Sequence, residues 1–198
     1  MAIAASRPTL FLIAGPNGAG KSTFYDTVLH GRIAAPFVNA DIIQRDELEN
    51  PSPEAAYEAA EIAEARRREF LTEGRSFVME TVFSHPSKMA LIQDARIAAY
   101  RIVVFHLMLQ SADLAVARVK QRAKEGGHAV PERKVRERFG RNSALIKQAV
   151  LLADRAQVLN GSALNERPKV VLELANGRMV KQADPIPNWI ATLYADVI

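Results

Sequence analysis

From Gly15 to Ser22 the sequence reads Gly-Pro-Asn-Gly-Ala-Gly-Lys-Ser, which satisfies G-x-x-x-x-G-K-[ST] at every position. Residues 10–14 before it form a short apolar run sized for a buried strand. Residues 22–30 after it read as a helix stopped by Gly31. Strand, glycine loop and helix in that order give the spacing a physical meaning. Glycines let successive backbone N–H groups curl toward phosphate oxygens, and the helix adds its positive end. Gly15, Pro16, Asn17, Gly18, Ala19 and Gly20 would form the cradle. Lys21 would reach the β- and γ-phosphates, Ser22 would bind Mg²⁺, and Thr23 would add a phosphate contact. The expected ligand is ATP or a close relative. The guanine-reading N-K-x-D pattern is absent. The loop identifies the nucleotide and leaves the reaction open.

The rest of the chain supports an α/β fold, a P-loop NTPase three-layer sandwich with a mainly parallel sheet and a helical lid. Further strands are expected at residues 37–39, 76–79, 101–109 and 157–159. A hairpin is expected at 170–174 and 179–181 around Asn176-Gly177. Helices are expected from Ser52-Pro53 to about residue 72, over 86–99, over 111–124, from Pro131 onward, and from about Pro187. With 198 residues, 48% of them apolar, and neither repeats nor a linker, one domain is expected. The absence of cysteine excludes disulfides and thiolate chemistry and fits a reducing cytoplasm, the expected location. No apolar run approaches the ~20 residues of a membrane helix, and no signal peptide is read.

In such sheets the ligand lies beyond the carboxyl ends of the strands. Asp41 follows the second expected strand. It reads either as a base that accepts a proton from an attacking hydroxyl or as a helix N-cap. Glu80 and Thr81 close the third. Glu80 reads as a Mg²⁺ or substrate carboxylate, with a solvated strand end as the alternative. Ser84 and His85 either line a substrate pocket or cap the next helix. Residues 111–141 carry nine Lys/Arg against four Asp/Glu, a patch for phosphates or a solvated helical face. Arg118 and Arg122 share one helix face, as do Arg138 and Arg141. The Gly126-Gly127-His128 loop between them reads as the hinge of a closing lid. His128 itself reads as a loop anchor. Phe139 is the single aromatic residue among these charges, so a nucleic-acid partner is not required.

Gly15–Thr23, Asn39-Ala40-Asp41, Glu80-Thr81-Val82-Phe83-Ser84, the Arg118/Arg122 pair, Gly126-Gly127-His128 with Val130-Pro131, and Arg138-Phe139 together resemble the zeta-toxin family of P-loop kinases. The resemblance runs from about residue 9 to 160. It implies ATP- and Mg²⁺-dependent phosphorylation of a small-molecule hydroxyl, with the 3′-hydroxyl of UDP-N-acetylglucosamine as the family's best-known acceptor, and a possible antitoxin partner. It casts Asp41 as general base, Lys21 and Ser22 at ATP and Mg²⁺, Glu80 with Thr81 or Ser84 at the substrate, and Arg118, Arg122 and Arg138 as lid arginines. The larger members' extra substrate-binding segments are reduced here. The competing readings are a kinase for another hydroxyl (a nucleoside, an antibiotic, a nucleic-acid 5′ end) and a non-catalytic ATP switch acting through a partner protein.

Overall fold

The computed structural model describes residues 7–127, 130–164 and 166–198. His128 lies outside them. Strands β1 (Thr9–Ala14), β2 (Phe37–Val38), β3 (Phe77–Thr81), β4 (Arg101–Met108), β5 (Arg155–Asn160), β6 (Lys169–Ala175) and β7 (Arg178–Gln182) form one sheet in the order β2-β3-β1-β4-β5-β6-β7. The first five run parallel, and β6 and β7 add an antiparallel hairpin. Its turn places Asn176 at φ 50° and Gly177 at φ 73°, the positive values that a two-residue hairpin loop requires.

Alternation along β1 sorts the core. Leu10, Leu12 and Ala14 join one apolar cluster, while Ile13 and Phe11 join another on the opposite face. The first face is covered by α4 (Ser87–Ile97), by Ile146, Ala149 and Val150 of α6 (Glu132–Leu152), and by α7 (Asn188–Leu193). The second is covered by α1 (Lys21–Phe24) with the π-helical turn Tyr25–Leu29 that continues it, and by α5 (Ala112–Lys124). These layers are the sandwich expected from the strand–helix alternation. The helix expected at 22–30 is thus α-helical only in its first turn.

A second difference is α2 (Ala40–Asp46), which was expected only through the capping alternative weighed for Asp41. It packs on α3 (Pro53–Glu73), whose cap is as read: the Ser52 hydroxyl accepts from the Ala55 N–H, Pro53 opens the first turn, and Gly74 ends the helix at φ 66°. Among the described residues no helix is long and apolar enough to cross a membrane.

The strand order fixes the site. After β1 the chain passes to β2 on one side, and after β3 it passes to β4 on the other. The crevice therefore opens at the carboxyl ends of β1 and β3. There Ile13 pairs with Glu80 and Ala14 with Thr81, so Glu80 stands beside the start of the glycine loop. Val38 pairs with Met79, which sets the next residue, Asn39, near Glu80.

Candidate active site

The loop after β1 is shaped by close approach. A Cβ on Gly15 would stand 2.2 Å from the Leu107 carbonyl oxygen, and Gly18 and Gly20 adopt φ of 76° and 79°, so only glycine is comfortable at each. Lys21 folds back over the loop. Its Nζ donates to the Pro16 carbonyl at 3.1 Å and lies 3.8 Å from Glu80 Oε1. Burial lowers the Lys21 pKa. Glu80 and then Asp41 oppose that shift, while Arg122 adds to it. The buried ammonium therefore sits in a field made by the acids after β2 and β3 and by the last turn of α5.

Glu80 ties the pieces together. Its Oε2 accepts from the Ser22 hydroxyl at 2.9 Å and from Asn39 Nδ2 at 2.8 Å. Asn39 in turn caps α2, its Oδ1 accepting from the Asp41 N–H at 2.7 Å and the Ile42 N–H at 3.4 Å. The capping role weighed for Asp41 thus belongs to Asn39, and the Asp41 carboxylate, in the first turn of α2, is left to line a cavity. The cavity, about 980 Å³, opens beside Ser22 and is walled by Asn39, Asp41, Gln44, Arg122, Gly126 and Gly127 among others. Its size suits a small ligand.

The structure gathers Lys21, Ser22, Glu80, Asp41 and Arg122 into one site. It places other candidates elsewhere. Arg118 donates to four backbone carbonyls: Gly18 (3.3 Å), Gly161 (2.6 Å), Ser162 (2.9 Å) and Ala163 (2.9 Å). It braces the glycine loop against the segment after β5 and does not line the cavity. Thr81 Oγ1 accepts from the Phe83 N–H at 3.0 Å, within the turn where buried Phe83 adopts φ 55°. Ser84 makes no hydrogen bond among the described residues. The backbone at the start of α4 is met by His85, whose Nδ1 accepts from the Ser87 N–H. Arg138 is half-buried with no polar partner among the described residues, and Arg141 Nε donates to the Glu137 carbonyl. Part of the 111–141 patch is engaged in surface pairs, Lys120 and Arg136 with Glu132 and Arg133 with Glu137, which are weak individually.

Reading the sequence missed Asn39, the link between α2 and Glu80, although an Asn directly before a helical apolar run is a cap signal. It also missed the cavity's outer wall: Asp26 on the π-helical turn, Phe37 at the start of β2, and Glu49 after α2. Arg118→Ala should lower unfolding stability by about 1 kcal/mol, because four carbonyls, three of them in part-buried contacts, lose a charged donor while water can reach part of the site. It should also weaken ATP binding through the loosened loop. Chemical denaturation and nucleotide titration of the same variant check both effects.

Fold and site together define a P-loop protein of the kinase-like α/β kind. The chain belongs to the Zeta toxin family, whose profile matches residues 2–158. No curated protein matches the sequence. Among solved structures it is similar to the AvrRxo1-ORF1:-ORF2 complex with ATP (TM-score 0.68, 17% identity, covering 96% of this chain and 63% of that one). It is also similar to the PezAT chromosomal toxin-antitoxin system of Streptococcus pneumoniae (TM-score 0.59, 13% identity, covering 85% and 73%). A third similarity is to the Pnkp1/Rnl/Hen1 RNA repair complex (TM-score 0.54, 17% identity, covering 74% and 47%). At these identities the likeness is one of fold. The chain spans less than two thirds of the AvrRxo1 chain's length.

Proposed function

We propose that this protein is an ATP-dependent kinase that phosphorylates a hydroxyl of a small molecule. The observation that carries the reading is the convergence of Lys21, Ser22 and Glu80 with Asp41 on one cavity at the crevice between β1 and β3. The glycine loop and Lys21 bind and orient the triphosphate. Asp41 accepts the proton of the acceptor hydroxyl as that oxygen bonds to the γ-phosphorus and the bond to the β-phosphate oxygen breaks, releasing ADP. Arg122 stands where it would meet charge on the transferring group, with Arg138 as a second candidate. Arg118 acts through the loop as a positioning residue.

The Ser22 hydroxyl and the Glu80 carboxylate, already in contact, are hard oxygen donors of the kind Mg²⁺ takes. They would hold the ion, Glu80 through water, and the bound ion would neutralise charge on the β- and γ-phosphate oxygens. Support for ATP comes from the loop itself and from the ATP structure of the AvrRxo1-ORF1:-ORF2 complex. The toxin-antitoxin system among its structural neighbours makes a protein antitoxin the partner to seek.

Transfer of label from γ-labelled ATP, with Mg²⁺, to UDP-N-acetylglucosamine tests the reading beside neutral and aminated sugars and a no-acceptor control. Labelled product that requires an acceptor is the expected result. ATP binding without transfer to any hydroxyl would leave the non-catalytic switch.

A further inference from the structure

Asn39 follows β2 and is 5% exposed. It stands beside two charged side chains that are almost as well covered, Lys21 at 8% and Glu80 at 9%. Its amide makes two kinds of contact. Oδ1 accepts the N–H groups of Asp41 and Ile42 at the start of α2. Nδ2 donates to Glu80 Oε2 at 2.8 Å. The first contact is a helix cap, which serine or aspartate would supply about as well. The helix does not need the second. An ionised aspartate has no N–H to give Glu80, and a serine hydroxyl is shorter and carries one proton.

The second contact sets where the Glu80 carboxylate points. The terminal torsion of a glutamate is soft, and Lys21 Nζ lies 3.8 Å from Oε1, farther than a hydrogen bond. Opposite charges in a nearly dry site attract strongly. A carboxylate free to turn would close on the ammonium. Asn39 at 2.8 Å and the Ser22 hydroxyl at 2.9 Å both hold Oε2. Lys21 rests instead on the Pro16 carbonyl at 3.1 Å, a neutral partner that a phosphate oxygen can replace. Ser22 also has the nucleotide's ion to serve, so Asn39 is the restraint with no ligand of its own.

Resting on the glycine loop as the nucleotide site, we infer that Asn39 is a positioning residue for the triphosphate: it holds Glu80 off Lys21 and so keeps the ammonium available to phosphate. Its effect on the nucleotide passes through Glu80. Its Oδ1 ties the helix that bears Asp41 to the same carboxylate, so the base and the phosphate-binding lysine are set by one buried side chain.

The test separates the cap from the hold on Glu80. Asn39→Ser keeps a good cap and gives up the Glu80 contact, and Asn39→Ala gives up both. Each is titrated calorimetrically with a non-hydrolysable ATP analogue and Mg²⁺, alone and combined with Glu80→Ala, and urea unfolding of the same proteins reads the cap. With Glu80 present, both substitutions should weaken analogue binding about tenfold, the scale of one hydrogen bond to a charged group. In the Glu80→Ala background the same substitutions should change binding by less than about twofold, because no carboxylate is left to hold. Asn39→Ala should unfold at lower urea than Asn39→Ser. Full affinity in Asn39→Ser with a loss in Asn39→Ala would reduce Asn39 to a cap and overturn the inference. A tenfold loss that persists without Glu80 would overturn it too. If Glu80→Ala binds the analogue too weakly to compare, the serine and alanine variants decide alone. Failure of transfer to every acceptor would sink the kinase reading and leave this inference standing, because the cycle reads binding alone.

Discussion

Asp41→Asn should reduce phosphoryl transfer by about a thousandfold and leave ATP affinity within about twofold. The asymmetry follows from where the side chain stands. Asn39, not Asp41, caps α2, so the substitution removes no cap and the helix keeps its start. The Asp41 carboxylate lines the cavity beside Ser22, and its charge is felt at Lys21 only behind the larger effects of burial and Glu80. Loss of that charge should therefore disturb the triphosphate side little, while the acceptor hydroxyl loses the group that takes its proton. Rapid-quench turnover alongside nucleotide titration separates the two effects. Unchanged turnover in the variant would remove Asp41 from the chemistry and favour the non-catalytic switch. Glu80→Gln is the informative contrast. Glu80 contacts Ser22, Asn39 and Lys21 together, so its neutralisation should weaken nucleotide binding and turnover at once.

The parts of this site that were legible in the sequence are those in which a local rule decides the outcome. The glycine loop is specified by backbone geometry that only glycine relieves, as the 2.2 Å approach at Gly15 illustrates. Ser52-Pro53 and Asn176-Gly177 are local signals whose caps and turn angles match them. Asp41 and Glu80 could be singled out as candidates because each follows or ends a parallel strand at its carboxyl end, and the structure brings both close enough to act on Lys21. What escaped depends on contacts made far along the chain. Arg118 reads as a free lid cation on its own helix, yet its four carbonyl partners lie 43 to 45 and 100 residues away. The short α2 has only seven residues, too few for a clear 3.6-residue period, and it exists because Asn39 caps it and α3 packs on it. The π-helical turn over Tyr25–Leu29 has no sequence pattern of its own, yet it carries Asp26 to the cavity wall.

Below about pH 6 the protein should lose stability at up to about 1.4 kcal/mol per pH unit from one residue, His106. It is fully buried on β4, its Nδ1 is 2.8 Å from the Tyr194 hydroxyl, and its Nε2 has no partner among the described residues. Burial lowers its pKa from 6.5 to about 3, and burial raises that of Tyr194, so the phenol stays protonated and donates to the neutral ring. The folded chain thus refuses a proton that the unfolded chain accepts near pH 6.5. The full contribution is present above that value and is lost progressively as pH falls toward 3. Between pH 6 and 5 carboxylates contribute little, so the slope there isolates histidine. Urea unfolding of H106L/Y194F, which removes both polar partners and leaves neither orphaned, should give near-wild-type stability at pH 7 and a shallower decline below pH 6. The same slope in both proteins would mean that some other group takes up the proton. Because β4 lies directly beside β1 and His106 pairs with Ala14 at the entrance to the glycine loop, the acid transition should carry nucleotide binding with it. Binding and unfolding midpoints measured over the same pH range should then move together.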